Sequence, residues 1–346
     1  SGLGLLHCLH TYQSSTRVRR WCYGLMMGTV LLIIFGIYLS RTGVVASVHA
    51  YSQSNMGTAF MGFFLFLLLI SLSSLAAHWK DLQPRGQRPA FLTPEGLTCI
   101  LLLCLTLLVC VCLVGVTLPL TSQALTGQRI EPSTLYYEWS FAPPALIILL
   151  SIALGYLPRK KSLCIVSILS AIALTIITGI VFAQMNASAF VGFSAVYFAL
   201  VALLLSIFYH PEVAPSKKEK NKGFSNTIGI LLHLAFALLA LGIVGSRQLD
   251  ESQVVSLQNG QSTTLGNWQV TKTTTKIEES ANKQILYAEE YVFLADGKEK
   301  VILQPLILWY EDTHSTVSSP AIHSTLLADT YTAIIAWDGN ENGKTT

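Results

Sequence analysis

Two of the chain's eight histidines, His7 and His233, lie inside apolar stretches of the kind that cross membranes. Ionisable side chains within a bilayer are rare and costly, and they usually mark a functional site. An imidazole ring can coordinate a metal ion, relay a proton or hydrogen-bond within the protein. These two histidines are therefore the first candidates for chemistry in this sequence.

Apolar runs near the length of about 20 residues that a bilayer core requires recur before residue 246. Seven complete runs predict transmembrane helices, and a partial run at about 1–13 makes eight. The complete runs lie at about 21–40, 57–77, 96–118, 141–157, 163–183, 189–209 and 227–245. The run at 141–157 is short and begins near Pro143 and Pro144, which predicts an irregular upper end.

The composition agrees with a membrane protein. Hydrophobic residues make up 52% of the chain and charged residues 12%, against about 25% charged in ordinary soluble domains. This balance argues against a soluble enzyme, and the lack of a dense basic patch with interleaved aromatic residues argues against nucleic-acid binding. All seven cysteines lie in apolar runs or at their ends, which excludes a disulfide framework for the polar tail.

The basic residues of alternate loops predict the orientation of the helices. One set of loops holds thirteen Lys and Arg residues, whereas the loops at 41–56, 119–140 and 184–188 hold only Arg41 and Arg129. Because cytoplasmic loops carry the excess of positive charge, the first set faces the cytoplasm. The tail after Ser246 then lies on the external side.

This orientation places His7 and His233 at the same depth. Each lies about seven residues from the cytoplasmic end of its helix, which corresponds to roughly 10 Å at 1.5 Å per residue. Two histidines at equal depth on separate helices suit a metal between them, and a haem with two imidazole ligands is one form of that arrangement. Hydrogen-bonded packing and a proton relay remain open from depth alone.

His49 lies in the segment RTGVVASVHAYSQSN, on the external side just after the run at 21–40. It is either an ordinary loop histidine or part of a ligand pocket, because the segment is apolar for a loop. Arg41 in the same segment either binds a carboxylate such as a haem propionate or lies at the headgroup level. For the remaining histidines we expect interfacial or solvated positions: His10, His78, His210, His314 and His323.

Residues 247–346 differ in character from residues 1–246. The first 246 residues carry a net charge of about +9, and the tail carries about −6. Alternating and β-branched stretches surround Asp296–Gly297, which is a typical hairpin turn. We therefore predict a transmembrane helical domain at 1–246 and a small antiparallel β domain at 247–346.

Several segments resemble one family. GIYLSRTGVVASVHAYSQSN with the preceding LLHCLHTYQ, then EWSFAPPALIILLSIALGYLPRKK, and LLHLAFALLALGIVGS before a β domain are similar to the cytochrome c haem lyase subunit of the CcmF type. The resemblance extends over essentially the whole chain, in the order of that family's C-terminal half. The 42-residue interval between His7 and His49 is its most specific feature.

The resemblance implies a site and a chemistry. His7 and His233 match two transmembrane histidines that hold a resident b-type haem, and His49 matches a periplasmic histidine that binds a second haem. The reaction implied is thioether formation between the vinyl groups of that second haem and the thiols of a C-x-x-C-H motif in apocytochrome c. The partner histidine and the tryptophan-rich segment of the family lie upstream, so we expect this chain to be part of a lyase.

The resemblance also implies partners and a location. We expect apocytochrome c, a haem chaperone, a thiol-reducing or apocytochrome-binding subunit, quinol as reductant, and membrane lipid. The location is the bacterial inner membrane, with the β domain in the periplasm. Two other classes stay open on the residues alone, namely an ion-coupled transporter subunit with a histidine proton relay and a membrane scaffold for an assembly complex.

Overall fold

A computed structural model describes most of the chain. The described residues are 1–12, 19–42, 56–83, 90–158, 160–182, 185–209, 220–266, 268–279, 284–295, 299–310, 315–325 and 329–335. The chain separates into two compact units, Ser1–Leu249 and Asp250–Thr346. The first unit is helical, and the second consists of β-strands.

The helical unit contains eight described helices, and seven of them are long and apolar enough to cross a membrane. Only α1 is shorter. The helices are α1 (Gly2–Tyr12), α2 (Arg19–Thr42), α3 (Met56–Ala77), α4 (Pro94–Thr126), α5 (Thr134–Tyr156), α6 (Lys161–Phe182), α7 (Ala187–Tyr209) and α8 (Lys220–Gln248). Each corresponds to one of the predicted apolar runs.

The prediction of a short span at 141–157 with an irregular upper end is wrong. Helix α5 begins at Thr134, and Pro143 and Pro144 lie inside it. The oxygen of Ser133 accepts a hydrogen bond from the Tyr136 amide and so caps the first turn. The Tyr136 hydroxyl also donates to the Val111 carbonyl of α4 at 3.0 Å. The cap and this interhelical bond hold the first turns of α5 in helical form.

The core of the helical unit surrounds α7, which packs against α5, α6 and α8. Small residues on α7, including Ala199 and Ala202, are fully buried. Small side chains let helix backbones approach closely, which is the main source of packing energy between helices in a membrane. The same principle operates at Gly192, where a Cβ atom would stand 3.1 Å from a methyl group of Val244 on α8.

Within the described residues, the β unit is a six-stranded antiparallel sheet with a separate two-stranded hairpin. In the sheet the order is β1-β2-β3-β5-β6, and β4 pairs with the second half of β3, next to β5. The strands are β1 (Ser262–Leu265), β2 (Trp268–Glu279), β3 (Gln284–Ala295), β4 (Glu299–Leu303), β5 (Leu306–Tyr310), β6 (Ser315–Ser319), β7 (Ala321–Ser324) and β8 (Asp329–Thr332). Its core consists of Val270, Phe293, Val301 and Leu303, with Trp268 packed on it.

The predicted turn at Asp296–Gly297 lies outside the described residues. The strands on either side of it pair antiparallel, with Ala295 opposite Glu299. The fold class predicted from the sequence is confirmed: this is a polytopic helical membrane protein with a small antiparallel β domain.

Candidate functional site

His7 of α1 and His233 of α8 lie beside each other in the helical unit. Their ring centroids are 6.0 Å apart, and the two ring planes are inclined at 81°. Helices α1 and α8 do not pack against each other along their lengths; α1 packs on α2 and α4, and α8 packs on α7. The two imidazoles therefore meet between helices that, in the described part of the chain, are not packed along their lengths.

Backbone hydrogen bonds determine which ring nitrogen of each histidine carries the proton. The Nδ1 atom of His7 lies 2.9 Å from the Leu3 carbonyl, and Nδ1 of His233 lies 2.7 Å from the Gly229 carbonyl. A carbonyl oxygen only accepts, so each Nδ1 carries the proton and donates it. Each neutral ring then has its lone pair on Nε2, which is the nitrogen that a metal ion requires.

The packing of α1 determines where His7 lies. Gly4 and Cys8 share one face of α1, and a Cβ atom on Gly4 would stand 3.3 Å from Leu25 and 3.5 Å from Leu102. Cys8 is fully buried in a cluster with Leu25 and Leu102. His7 occupies a neighbouring helical position, so this face anchors α1 while the imidazole reaches His233.

The packing of α8 against α7 and two side-chain contacts with α5 position His233. The close contact of Gly192 with Val244 sets the separation of α7 and α8. At one end of the α5 and α8 helices, Arg247 forms an ion pair with Glu138. At the other end, the Tyr156 hydroxyl oxygen lies 3.3 Å from Nδ1 of His233. Contacts at both ends thus tie α8 to α5.

Tyr156 is a site residue that the sequence reasoning missed. Its ring lies 5.3 Å from the His233 ring, centroid to centroid, at an angle of 55°. The only sequence signal is an aromatic residue at the membrane interface, just before the basic loop. That signal does not reveal which helix the aromatic ring contacts, since Tyr156 and His233 are 77 residues apart in the chain.

The donor set fits one kind of metal centre. A metal ion lies about 2 Å from a coordinating imidazole nitrogen, so a metal between two imidazoles separates their centroids by about 6 Å. The observed separation is 6.0 Å. Among the described residues, no group of three or more His, Cys, Asp or Glu side chains is placed to hold a metal ion. Two nitrogen ligands without further protein ligands suit a metal whose remaining ligands belong to a cofactor, as in haem.

Of the other predicted site residues, the structure describes only Arg41. Arg41 is exposed in the last turn of α2. His49, which the sequence suggests as a second haem ligand, lies outside the described residues, as do His210 and His314. His78 is exposed beyond the end of α3, and His323 is partly buried in β7.

The fold and the paired histidines define a multi-pass membrane protein with a two-imidazole site between helices. No family model matches the chain. The chain is similar over 96% of its length to the cytochrome c-type biogenesis protein CcmF of Pseudomonas fluorescens, at 24% identity, and to CcmF of Escherichia coli, at 23%. It is also similar over 78% of its length to the cytochrome c-type biogenesis protein NrfE of Haemophilus influenzae, at 23% identity.

A solved structure of a cytochrome c heme lyase, CcmF, shares the fold. The match has a TM-score of 0.63 and 16% sequence identity, and it covers 94% of this chain and 50% of that chain. These similarities confirm the resemblance to CcmF-type cytochrome c biogenesis proteins that was inferred from the sequence. It spans about half the length of the curated relatives that it matches.

Proposed function

We propose that this chain is part of a cytochrome c haem lyase and that His7 and His233 are the axial ligands of a resident b-type haem. The observation that carries the proposal is the pair of imidazoles 6.0 Å apart, each with Nδ1 bound to a backbone carbonyl of its own helix. With Nδ1 protonated, each of the two imidazole rings has its lone pair on Nε2. The similarity to CcmF-type proteins over 96% of the chain supports haem as the cofactor.

The chain's own residues bind and orient, and they do not need to act as nucleophiles. The delivered haem is the substrate, and each cysteine thiol of apocytochrome c adds across one of its vinyl groups. The S–H bond and the π bond of the vinyl group break while one carbon–sulfur and one carbon–hydrogen bond form, so the addition itself needs neither an oxidant nor a reductant. The resident haem, when bound, would carry electrons from quinol to the iron of the delivered haem. His7 and His233 hold that cofactor within the helical unit.

We assign the delivered haem to the opposite membrane face. His49 follows the external end of α2, whereas His7 and His233 lie near the cytoplasmic end of their helices, and a bilayer core of about 30 Å separates the faces. His49 is then a ligand of the delivered haem, and Arg41 binds one of its propionates. His49→Ala should stop holocytochrome c production and leave the b-haem spectrum unchanged. Normal cytochrome c yield in this variant would remove His49 from the proposal.

The location follows from the charge of the loops. We propose that the chain lies in the bacterial inner membrane, with residues 1–246 as its transmembrane domain and residues 247–346 in the periplasm. There the β domain is on the side of apocytochrome c, the haem chaperone and the thiol-reducing subunit. Alkaline phosphatase fused after Gly260 should be active and fused near Lys220 inactive. The reverse result would place the β domain in the cytoplasm.

The decisive experiment measures b-type haem in membranes of cells whose haem lyase carries this segment. The reduced-minus-oxidised spectrum should show the α band of a haem with two histidine ligands. His7→Ala and His233→Ala should each abolish that band, because either change removes one iron ligand. His7→Gly or His233→Gly with added imidazole should restore part of it.

His78→Ala is the matched control. His78 also places Nδ1 2.9 Å from the carbonyl four residues earlier, at Ser74, but it is exposed at the end of its helix. Its removal should leave the b-haem band at the level of the unsubstituted protein. Full haem content in His233→Ala would contradict the ligand assignment, and absence of the band from the unsubstituted protein would favour a proton relay or a scaffold.

A further inference from the structure

Tyr156 is the last residue of α5, and its phenol ring packs on His233. The ring centroids are 5.3 Å apart, and the phenolic oxygen lies 3.3 Å from Nδ1 of His233. Both side chains are partly buried. Helix α5 contributes no candidate ligand, so Tyr156 acts on the site only through His233.

The protonation of Nδ1 determines whether the phenolic oxygen accepts or donates the hydrogen bond with His233. Nδ1 has one hydrogen, and the Gly229 carbonyl at 2.7 Å is its nearer acceptor. The phenolic oxygen at 3.3 Å is a second, weaker acceptor of the same hydrogen, because a protonated Nδ1 has no lone pair to receive the phenol proton. The phenol oxygen and the Gly229 carbonyl therefore both draw on the Nδ1 hydrogen of His233.

Gly229 lies beside the phenolic oxygen of Tyr156. A Cβ atom on Gly229 would stand 3.7 Å from the phenolic oxygen, at ordinary contact distance. The phenolic oxygen thus occupies the space into which a side chain larger than a methyl group at position 229 would extend. A side chain that branches at Cβ would extend into that space and move the oxygen away from Nδ1.

We propose that Tyr156 is a positioning residue for the haem ligand His233. Its ring limits rotation of the imidazole, and its oxygen strengthens the polarisation of the Nδ1–H bond. This inference rests on the proposed function. A hydrogen-bonded Nδ1 makes Nε2 a better electron donor, and donation from an axial ligand stabilises ferric over ferrous iron. The tyrosine therefore lowers the reduction potential of the resident haem and maintains the angle between the imidazole planes.

The test compares two tyrosine variants that each lose one hydroxyl group inside the helical unit. Tyr156→Phe removes the oxygen near His233 and keeps the ring. Tyr197→Phe is the matched control, because the Tyr197 hydroxyl bonds Thr178 of α6 at 2.7 Å and not a histidine. Both proteins are purified from membranes, and their haem content, reduction potential and low-spin ferric EPR spectrum are measured. The EPR signal reports the angle between the imidazole planes.

We expect Tyr156→Phe to keep its haem, to have a higher reduction potential and to show a shifted EPR signal. Tyr197→Phe should match the unsubstituted protein in all three measurements. Gly229→Val should shift the potential in the same direction as Tyr156→Phe, because it displaces the phenol and leaves Tyr156 itself intact. A structural role alone would change stability in both tyrosine variants and would not move the potential of one.

The possible failures are distinguishable. If Tyr156→Phe has normal haem with an unchanged potential and EPR signal, the positioning role is refuted and the proposed function stands. An equal shift of potential in Tyr197→Phe also refutes it, because the effect is then not specific to the contact with His233. If the unsubstituted protein holds no b-type haem, both the proposed function and this inference are refuted.

Discussion

His78 and His233 make the same local hydrogen bond but differ in exposure and in the aromatic rings beside them. In each residue Nδ1 bonds the carbonyl four residues earlier, at 2.9 Å for His78 and 2.7 Å for His233. His78 is exposed and, within the described residues, faces no second imidazole. His233 is partly buried between His7 and Tyr156. Helix geometry alone therefore selects the tautomer, whereas a ligand pair requires packing that brings a second helix to the first.

Gly4→Leu should have the largest effect on the pairing of His7 with His233, although it substitutes no histidine. A side chain at Gly4 meets Leu25 and Leu102 at 3.3 and 3.5 Å, so a leucine would push α1 away from α2 and α4. Overpacking of this kind costs about 1–3 kcal/mol. If this cost destabilises the arrangement in which His7 lies beside His233, b-type haem content should decrease about tenfold. The reduced-minus-oxidised spectrum of membranes measures it.

Gly2→Leu is the control for this prediction. A Cβ atom on Gly2 has no neighbour within 4 Å among the described residues. The variant should therefore retain its haem, because the added side chain does not displace α1. Equal loss of haem in both variants would mean that the packing of α1 does not determine the position of His7.

A smaller effect is expected from Gly192→Leu, which acts on the other helix of the pair. Its added side chain meets Val244 at 3.1 Å and shifts α8 relative to α7. Val244 is eleven residues from His233, whereas Gly4 is three residues from His7, so a shift at Val244 displaces its histidine less. We therefore expect a decrease in haem content of a few-fold. Titration of haem into the purified protein measures this change. Gly242→Leu, which has open space around it, should bind haem as the unsubstituted protein does.

The smallest effect should follow from Glu138→Gln. This change breaks the ion pair with Arg247 at the end of α5 and α8 far from the histidines. Both side chains are substantially exposed, and exposed ion pairs contribute at most about 1 kcal/mol. Haem content should stay constant, and the midpoint of thermal unfolding should change by only a few degrees. A double-mutant cycle with Arg247→Gln measures the interaction itself.

Loss of haem in Glu138→Gln would contradict this ranking. It would show that the ion pair, and not the contact at Tyr156, holds His233 in place. The comparison with Tyr156→Phe thus separates the two ends of the same helix pair.

Much of the fold could be predicted because each transmembrane helix is a local property of the chain. The length of an apolar run determines whether it can cross a bilayer, and this rule located α2 to α8. It failed at the start of α5, where the apolar run begins later than the helix. There the cap at Ser133 and the bond from Tyr136 to Val111 extend the helix into a polar segment.

The candidate site could be predicted in part. Counting residues from the predicted cytoplasmic ends of the helices predicted one depth for His7 and His233, and the structure places their rings beside each other. Their role as haem ligands stays a prediction. Depth specifies one coordinate along the membrane normal and says nothing about which helices are neighbours in the plane. For that reason Tyr156 could not be assigned to His233 from the sequence.

The sequence by itself determined the membrane-spanning character and the division into a helical and a β part, and it predicted a common depth for the two histidines. These features depend on run length, charge and residues close in the chain. Only the tertiary structure decided that α1 and α5 both reach His233. The helix faces are almost uniformly apolar, so hydrophobicity does not select one neighbour over another. The selection comes from close contacts at small residues such as Gly4 and Gly192, whose effect depends on the shape of the opposing surface.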